Sequence, residues 1–262
     1  MTSMTDLLAG RTALITGAGR GIGAEVAAQL GSLGARVLIN DLVADRAVRQ
    51  AIALVDAGID ASAAPFDVCD YAATVDAVVA VGAIDILVNN AGNAGGDSWT
   101  AMVPFVETAP ADWEPYIGVN LYGVMHATRA VLPGMIERQW GRIVTIISDA
   151  SRVGEPLMAA YGAAKAGAAG LTRAVANEVG RYGITANNIS LGTMRTPLTE
   201  ARWASLDDAD PRQVRAQLAG YAVRRPGLPD DVAALVAYLV SPAASWMTGQ
   251  TIPLNGGYSH AL

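Results

Sequence analysis

Thr12-Ala13-Leu14-Ile15-Thr16-Gly17-Ala18-Gly19-Arg20-Gly21-Ile22-Gly23 decides the fold of this 262-residue chain. The first four residues read as a short apolar strand, the glycines as a turn, and the helix formers Ala24 to Leu33 continue from it. A strand, a glycine turn and a helix in that order aim free backbone N–H groups at a phosphate. Gly17 is expected to make the tight turn. Gly21 and Gly23 are expected to let backbone approach a pyrophosphate and the sheet. The spacing is G-x-x-x-G-x-G, not the G-x-G-x-x-G of the usual dinucleotide fingerprint. Many glycine loops are plain turns, and the next strand is what strengthens this one. Arg36-Val37-Leu38-Ile39-Asn40-Asp41 ends in an acid at about the place where a βαβ unit puts its ribose-binding carboxylate.

Outward from that unit, strands and helices alternate as in a doubly wound α/β fold. Helices are expected over about Ala44 to Ala57, Tyr71 to Val81, Asp112 to Glu137, Tyr161 to Tyr182 and Asp230 to Val240. Strands are expected at Ala63 to Phe66, Ile84 to Val88, Ile143 to Ile147 and Thr185 to Ser190. The first eight residues read as a loose tail. No linker, internal repeat or low-complexity tract interrupts the chain, so residues 1–262 are expected to form one domain.

Tyr161-x-x-x-Lys165 carries the chemistry. Residues at i and i+4 share a helix face. A phenol titrates near 10, and a cation one turn away favours the phenolate and lowers that value, which suits proton transfer near neutrality. Ser148, thirteen residues upstream, follows the apolar run Ile143 to Ile147. Its hydroxyl would emerge at the carboxyl end of a strand, where open α/β sheets place their ligands.

These motifs together resemble the short-chain dehydrogenase/reductase family over nearly the whole chain. The resemblance implies a Rossmann fold: a mostly parallel seven-stranded sheet with helices on both faces. The family's glycine motif matches Gly17, Gly21 and Gly23, its Asn-Asn-Ala-Gly motif matches Asn89 to Gly92, and its tetrad maps onto Asn120, Ser148, Tyr161 and Lys165. The tail Gly249 to Gly257 is similar to the family's last strand and turn. It implies that Tyr161 exchanges a proton with the substrate oxygen and that Ser148 holds that oxygen. Lys165 would lower the tyrosine's pKa and bond the nicotinamide ribose, and Asn120 would hold a water leading to solvent. Cofactor contacts are implied at Gly17, Arg20, Gly21, Ile22, Gly23, Asp41, Asp67, Val68, Asn89, Ala91, Gly92, Tyr161, Lys165, Gly192, Met194 and Thr196, with Asp67 and Val68 on the adenine side. The family's usual proline after the sixth strand is Leu191 here, which is expected to loosen the turn while leaving Thr196 able to reach the carboxamide.

Cofactor choice turns on two residues. Asp41 accepts hydrogen bonds from both ribose hydroxyls of NAD and repels the 2′-phosphate of NADP. Arg20 points the other way, and no basic residue immediately follows Asp41. NAD is therefore expected over NADP.

The substrate side is less legible. Thr193 to Arg225 reads as a lid with Met194, Leu198, Trp203, Leu206, Leu218 and Tyr221, suited to an apolar substrate. Ala94, Asp149, Val153, Met158, Leu198 and Trp203 are candidate substrate contacts. Arg152 and Glu155 are further candidates for polar groups, and Arg224-Arg225 for the phosphate of a thioester carrier. The leading expectation is an NAD-dependent alcohol dehydrogenase or ketone reductase. An NADPH-dependent 3-oxoacyl thioester reductase and a non-catalytic NAD-binding sensor are the rivals.

Composition bounds the partners. A net charge of −6 without a basic stripe argues against a nucleic-acid partner. No metal is expected, and no apolar run of eighteen residues or charged-then-apolar leader suggests a membrane or export. Cys69 is the single cysteine, which excludes an intrachain disulfide and suits the cytoplasm; a half-buried packing role is expected for it. Small and apolar residues exceed one stripe on two helices: Gly118, Leu121, Val124, Met125 and Ala127 on one, Ala163, Ala166, Gly167, Ala169 and Gly170 on the other. The surplus is expected to form a second buried face in a homotetramer, with a dimer as fallback.

Overall fold

The computed structural model describes residues 7–92, 103–207, 212–213, 216 and 218–260. Seven strands form one sheet: β1 (Thr12–Ile15), β2 (Arg36–Ile39), β3 (Ala61–Ala63), β4 (Ile86–Asn89), β5 (Gly141–Ser148), β6 (Ile184–Leu191) and β7 (Thr251–Leu254). The spatial order is β3-β2-β1-β4-β5-β6-β7. Every pairing is parallel, β7 included. The order reverses between β1 and β4, and such a switch point opens a crevice outside the carboxyl ends of the strands.

Helices cover both faces: α1 (Gly21–Ser32), α2 (Ala44–Asp56), α3 (Tyr71–Val81), α4 (Pro110–Ile117), α5 (Gly123–Glu137), α6 (Ala159–Val179), α7 (Glu200–Asp207) and α8 (Pro229–Val240). Successive strand residues point to opposite faces. Ala13, Ile15, Val37, Ile39, Ile86 and Val88 pack with Val26 and Leu30 of α1 and Val232 and Val236 of α8. The alternate residues Leu14, Leu38, Leu87 and Ile143 pack with Val131 and Met135 of α5 and Val175 and Val179 of α6. This double coverage explains why the strands read as continuous apolar runs.

Several boundaries differ from the sequence expectation for local reasons. β3 ends at Ala63, where Phe66 was expected. The next turn is held by a side chain instead of the ladder, because Asn40 Nδ2 donates to Ala64 O and Phe66 O at 3.2 and 2.9 Å. The single helix expected from Asp112 to Glu137 starts at Pro110 and is interrupted by a π turn at Gly118–Tyr122. Leu8 does not belong to a loose tail. It is 1% exposed, and its N–H donates to Leu33 O. Of the small residues on α5 and α6, Val124, Ala127 and Ala169 face the chain's own core, while Met125, Ala163 and Ala166 stay exposed. Among the described residues no helix is long and apolar enough to cross a membrane, and no acidic, histidine or cysteine cluster could hold a metal.

Candidate active site

The glycine turn is held from three sides. Gly17 has φ +64°, and a Cβ there would meet Ala91 Cα at 2.8 Å. A Cβ on Gly23 would meet Asn90 Nδ2 at 2.5 Å and Gly17 O at 2.6 Å, so this glycine closes the loop onto itself. Gly21 has φ +61° and opens onto free space, with only Pro197 Cδ at 3.9 Å from the position a Cβ would take. The N-terminus of α1 has no side-chain cap, with Arg20 at the N-cap position. Its first amides are thus available to an anion. This combination fits a dinucleotide pyrophosphate.

Residues that the motif reading passed over make the turn rigid. Thr16 Oγ1 donates to Val88 O (3.3 Å) and accepts from Asn90 N and Ala91 N, both at 3.0 Å. Asn90 Nδ2 donates to Thr16 O and Gly17 O. Asn40 Oδ1 accepts from Gly17 N at 3.3 Å. Thr16, Asn40 and Asn90 all lie inside the quoted motifs, so position was a usable signal and side-chain role was not. Asn89, an expected cofactor contact, is buried, and its Nδ2 donates to Thr128 Oγ1 (3.1 Å) and Thr145 Oγ1.

Asp41 stands two residues past Ile39, the last paired residue of β2, and is 6% exposed. Its Oδ2 accepts from Gly19 N (3.2 Å) and its Oδ1 from Val43 N (2.9 Å). Each oxygen keeps acceptor capacity for a ribose hydroxyl. No basic residue directly follows Asp41 in the chain, but Arg46 comes near it in space, with its Nη1 4.0 Å from Asp41 Oδ1. Arg46 lies on the first turn of α2, so the helix returns it to an acid five residues earlier. Val68 is buried and Asp67 exposed, with Asp67 Oδ1 accepting from Cys69 N at 2.8 Å. Cys69 is exposed, not half-buried. Desolvation, then the Asp67 carboxylate, push its thiol up to about 11, so it is a poor thiolate.

The four expected tetrad residues converge at the carboxyl ends of β4 and β5. Tyr161 is 8% exposed and hydrogen-bonds with Ser148, and Tyr116 of α4 lies edge-on to its ring at 6.3 Å. Lys165 Nζ donates to Ile146 O at 2.8 Å. Asn120 is fully buried in the π turn, and its Nδ2 donates to Tyr116 O at 3.0 Å. A Cβ on Gly92 would lie 3.2 Å from Asn120 Oδ1 and 3.4 Å from Lys165 Nζ, so Gly92 is the gap that lets both side chains reach one spot. The π turn gives Asn120 an inward aim that a continuous α-helix would alter.

The expected lowering of Tyr161 is not met in the chain alone. Burial pushes the phenol up, and the Ser148 hydroxyl pulls the other way. Burial also brings Lys165 down to about 8 from 10.5. Desolvation thus disfavours both charged forms, the phenolate and the ammonium, and brings the two groups towards their neutral states.

The substrate side departs most from expectation. Asp149 is 2% exposed, and its carboxylate accepts four hydrogen bonds: from Ser190 Oγ (2.5 Å) and Arg152 Nη1 (3.2 Å) at Oδ1, and from Asn255 Nδ2 (2.5 Å) and Ser259 Oγ (2.8 Å) at Oδ2. Four donors fill a carboxylate's lone-pair sites, which leaves none for a substrate. Glu155 Oε1 accepts from Tyr258 OH at 2.7 Å, and Arg152 also donates to Ser259 Oγ and His260 O. Trp203 is 2% exposed and donates to Met194 O at 3.1 Å, so it packs the lid root instead of facing a substrate. The Arg224-Arg225 pair is dispersed. Arg224 donates to Leu218 O and Ala219 O, while Arg225 forms a bidentate pair with Asp231 at 2.6 and 2.8 Å. Val153 and Leu198 remain exposed, and Met158 is half-buried. Ala94 and the Leu206 side chain lie outside the described residues.

Leu191 does not loosen the turn. It stays in β6, buried, opposite Ser148 on one side and Leu254 on the other. Gly192 fits between Asn255 and Tyr221, where a Cβ would come within 3.1 Å of each. Beyond it, Arg195 N donates to Gly227 O and Gly227 N to Thr193 O, a short bridge at the lid root that carries Met194. Thr196 N donates to Thr199 Oγ1 at 2.9 Å.

Known proteins match this architecture end to end. The profile of the family described as short chain dehydrogenase matches residues 11–207. A 2-dehydro-3-deoxy-L-rhamnonate dehydrogenase (NAD(+)) of Sphingomonas sp. is 34% identical over 262 residues, covering 98% of each chain. A 3-oxoacyl-(acyl-carrier-protein) reductase of Pseudomonas aeruginosa is 35% identical over 254 residues, covering 95% of this chain and 98% of that one. The crystal structure of a gluconate 5-dehydrogenase from Burkholderia cenocepacia in complex with NADP and tartrate is similar at a TM-score of 0.88 and 35% identity, covering 100% of both chains.

Proposed function

The chain belongs to the short-chain dehydrogenase family and is an oxidoreductase of CH–OH groups that uses a nicotinamide cofactor, and from that premise we propose that it interconverts a secondary alcohol and a ketone with NAD(H). The observation that carries the reading is the hydrogen-bonded pair of Ser148 and Tyr161, with Lys165 one helical turn on and its Nζ reaching, together with Asn120 Oδ1, the space beside Gly92. When bound, the nicotinamide supplies the hydride acceptor or donor. Gly17 to Gly23 and the uncapped start of α1 hold its pyrophosphate, and Asp41 takes the adenosine ribose. Met194 and Thr196 would hold the carboxamide end. Tyr161 OH exchanges a proton with the substrate oxygen, and Ser148 Oγ holds that oxygen in place as a preorganised donor. The Lys165 ammonium stabilises the phenolate as it forms, and Asn120 guards a water path from Lys165 outward.

NAD is favoured because a 2′-phosphate beside a nearly buried Asp41 carboxylate is repelled. Arg46 is the observation that supports the rival, an NADPH-dependent 3-oxoacyl thioester reductase, since it could compensate a phosphate there. The dispersed Arg224 and Arg225 remove the carrier grip that this rival needs. A screen of secondary alcohols, ketones and 3-oxoacyl thioesters with both cofactors, read at the absorbance of the reduced nicotinamide, separates the two. Turnover of thioesters with NADPH alone would overturn the NAD reading.

The same reading includes a homotetramer in the cytoplasm. Tyr122, Met125, Ala163 and Ala166 leave an apolar strip exposed along α5 and α6. Light scattering on the wild type and on Ala166→Glu tests it, and a monomeric mass for the wild type would defeat it. Ala169 is unsuitable for this test because it is buried within its own chain.

A further inference from the structure

Three residues after Ser148 reach across the molecule to its far end. Asp149, Arg152 and Glu155 meet Asn255, Tyr258, Ser259 and His260, more than 100 positions away in the chain. The tail is pinned in turn. Gly257 N donates to Asn255 Oδ1, and Asn255 Nδ2 donates to Ser259 O as well as to Asp149. The Tyr258 ring stacks on Tyr221 at 4.9 Å, and the Tyr221 hydroxyl accepts from Thr193 N at 3.1 Å. One short tail thus touches both the loop that follows Ser148 and the root of the lid.

The link to the reacting groups is short. Ser148 Oγ accepts from Ala150 N at 3.2 Å, and Ser148 O accepts from Ser151 Oγ at 2.6 Å. Ala150 opens a π turn, Ala150–Gly154, whose third and fourth amides fold back on Asp149: Arg152 N and Val153 N both donate to Asp149 O. Ala150 also rests on α6 beside Tyr161, where a Cβ on Gly162 would come within 3.1 Å of Ala150 O. The position of Ala150 N therefore sets the Ser148 hydroxyl, and Asp149 sets Ala150. The Asp149 backbone is tied to β6 through Asp149 N to Leu191 O (2.9 Å), and its carboxylate to β6 and to the tail.

We propose that Asp149 is a positioning residue for Ser148 and that the tail Asn255–His260 is the clamp that holds it. The proposal rests on the reading of Ser148 as the substrate-oxygen donor. The clamp itself is a matter of geometry and can be read without turnover. Half of the carboxylate's donors come from the tail. Losing them leaves a buried charge under-bonded, and the turn shifts to rehydrate it.

The test compares wild type, Asp149→Asn, Ser259→Ala and the double variant Asp149→Asn/Asn255→Asp, in which the amide and the acid exchange places and the bond runs in reverse. Single-turnover rates, the NAD dissociation constant by titration, and hydrogen exchange of the 149–160 peptide are measured on each. Asp149→Asn is expected to slow turnover about 100-fold, the cost of a misplaced reacting group, with NAD affinity unchanged and exchange in 149–160 faster. Ser259→Ala is expected to show a milder form of the same pattern, and it serves if Asp149→Asn does not fold. The double variant is expected to recover a large part of both losses. A turnover rate within twofold of wild type in Asp149→Asn, or a loss shared equally by NAD affinity, overturns the positioning role. Absence of turnover in the wild type defeats the proposed reaction alone; exchange that is unchanged in both single variants defeats the clamp.

Discussion

The cofactor half and the substrate half of this site are built in different ways. Around the glycine turn, Thr16, Asn40, Asn90 and Asp41 bond backbone amides and carbonyls at the neighbouring ends of β1, β2 and β4. Around the substrate side, Asp149, Arg152 and Glu155 bond side chains and carbonyls contributed by β6 and the tail. The first arrangement presents groups to a ligand whose shape hardly varies. The second consumes the charged groups that look most available for a substrate and leaves apolar ones, Val153 and Leu198, at the surface. The charged loop beside Ser148 is thus a support here, and polarity of a loop says little about polarity of its substrate.

Four measurements break or sharpen that contrast. The largest effect is expected at the seam of the two halves. Tyr161→Phe removes the proton path and should lower kcat about 1,000-fold while NAD still binds, because no part of the glycine turn is touched. A comparable loss of NAD affinity would mean that the halves are not separable. Next, Asp41→Ser should move the kcat/KM ratio of NAD to NADP by about 30-fold towards NADP, by removing a like charge from beside the phosphate. An unchanged ratio would hand cofactor choice to Arg46 and Arg20.

A matched pair of small substitutions comes third. Gly23→Ala drives a Cβ into Gly17 O and Ala18 Cα and should destabilise the fold by about 2 kcal/mol, as overpacking does. Leu198→Ala, on the exposed substrate side, should change stability by less than about 0.5 kcal/mol. Denaturant midpoints compare them, and equal losses would erase the difference in rigidity.

The smallest effect is a pH dependence. Lys165 titrates at about 8 in the folded chain against 10.5 as a free side chain. Between those values the unfolded chain binds the extra proton, so the cost of burying the ammonium is fully present below about pH 8 and fades as pH rises towards 10.5. Lys165→Met removes that cost. Its stability relative to wild type should therefore fall by about 1 kcal/mol between pH 7 and pH 9 in urea titrations. A difference that is flat with pH would show that the lysine keeps its ordinary proton affinity in the fold.

How far the site was legible follows from the same contrast. Gly17, Gly21 and Gly23 declared themselves because only glycine takes a positive φ freely or fits against another backbone. Tyr161 and Lys165 did so because helix geometry fixes the i, i+4 relation. Arg46 is not legible as a partner of Asp41 from chain position, because the first turn of α2 is what carries it back to that carboxylate. Asp149 was misjudged because its partners Ser190, Asn255 and Ser259 sit 41, 106 and 110 positions away. Leu191 was misjudged because the loss of a proline was weighed without the strand pairing on both of its sides.

The sequence by itself determined the alternation of strands and helices apart from α7 and the break between α4 and α5, the doubly wound class, the glycine turn and the shared helix face of Tyr161 and Lys165. Each of these depends on steric and periodic rules that act within a few residues. Only the tertiary structure decided which polar side chains face a ligand and which are spent on the protein itself. A carboxylate carries the same chemistry in both uses. What separates them is whether distant donors fill its lone pairs, and that is known only once β5, β6 and the tail are brought together.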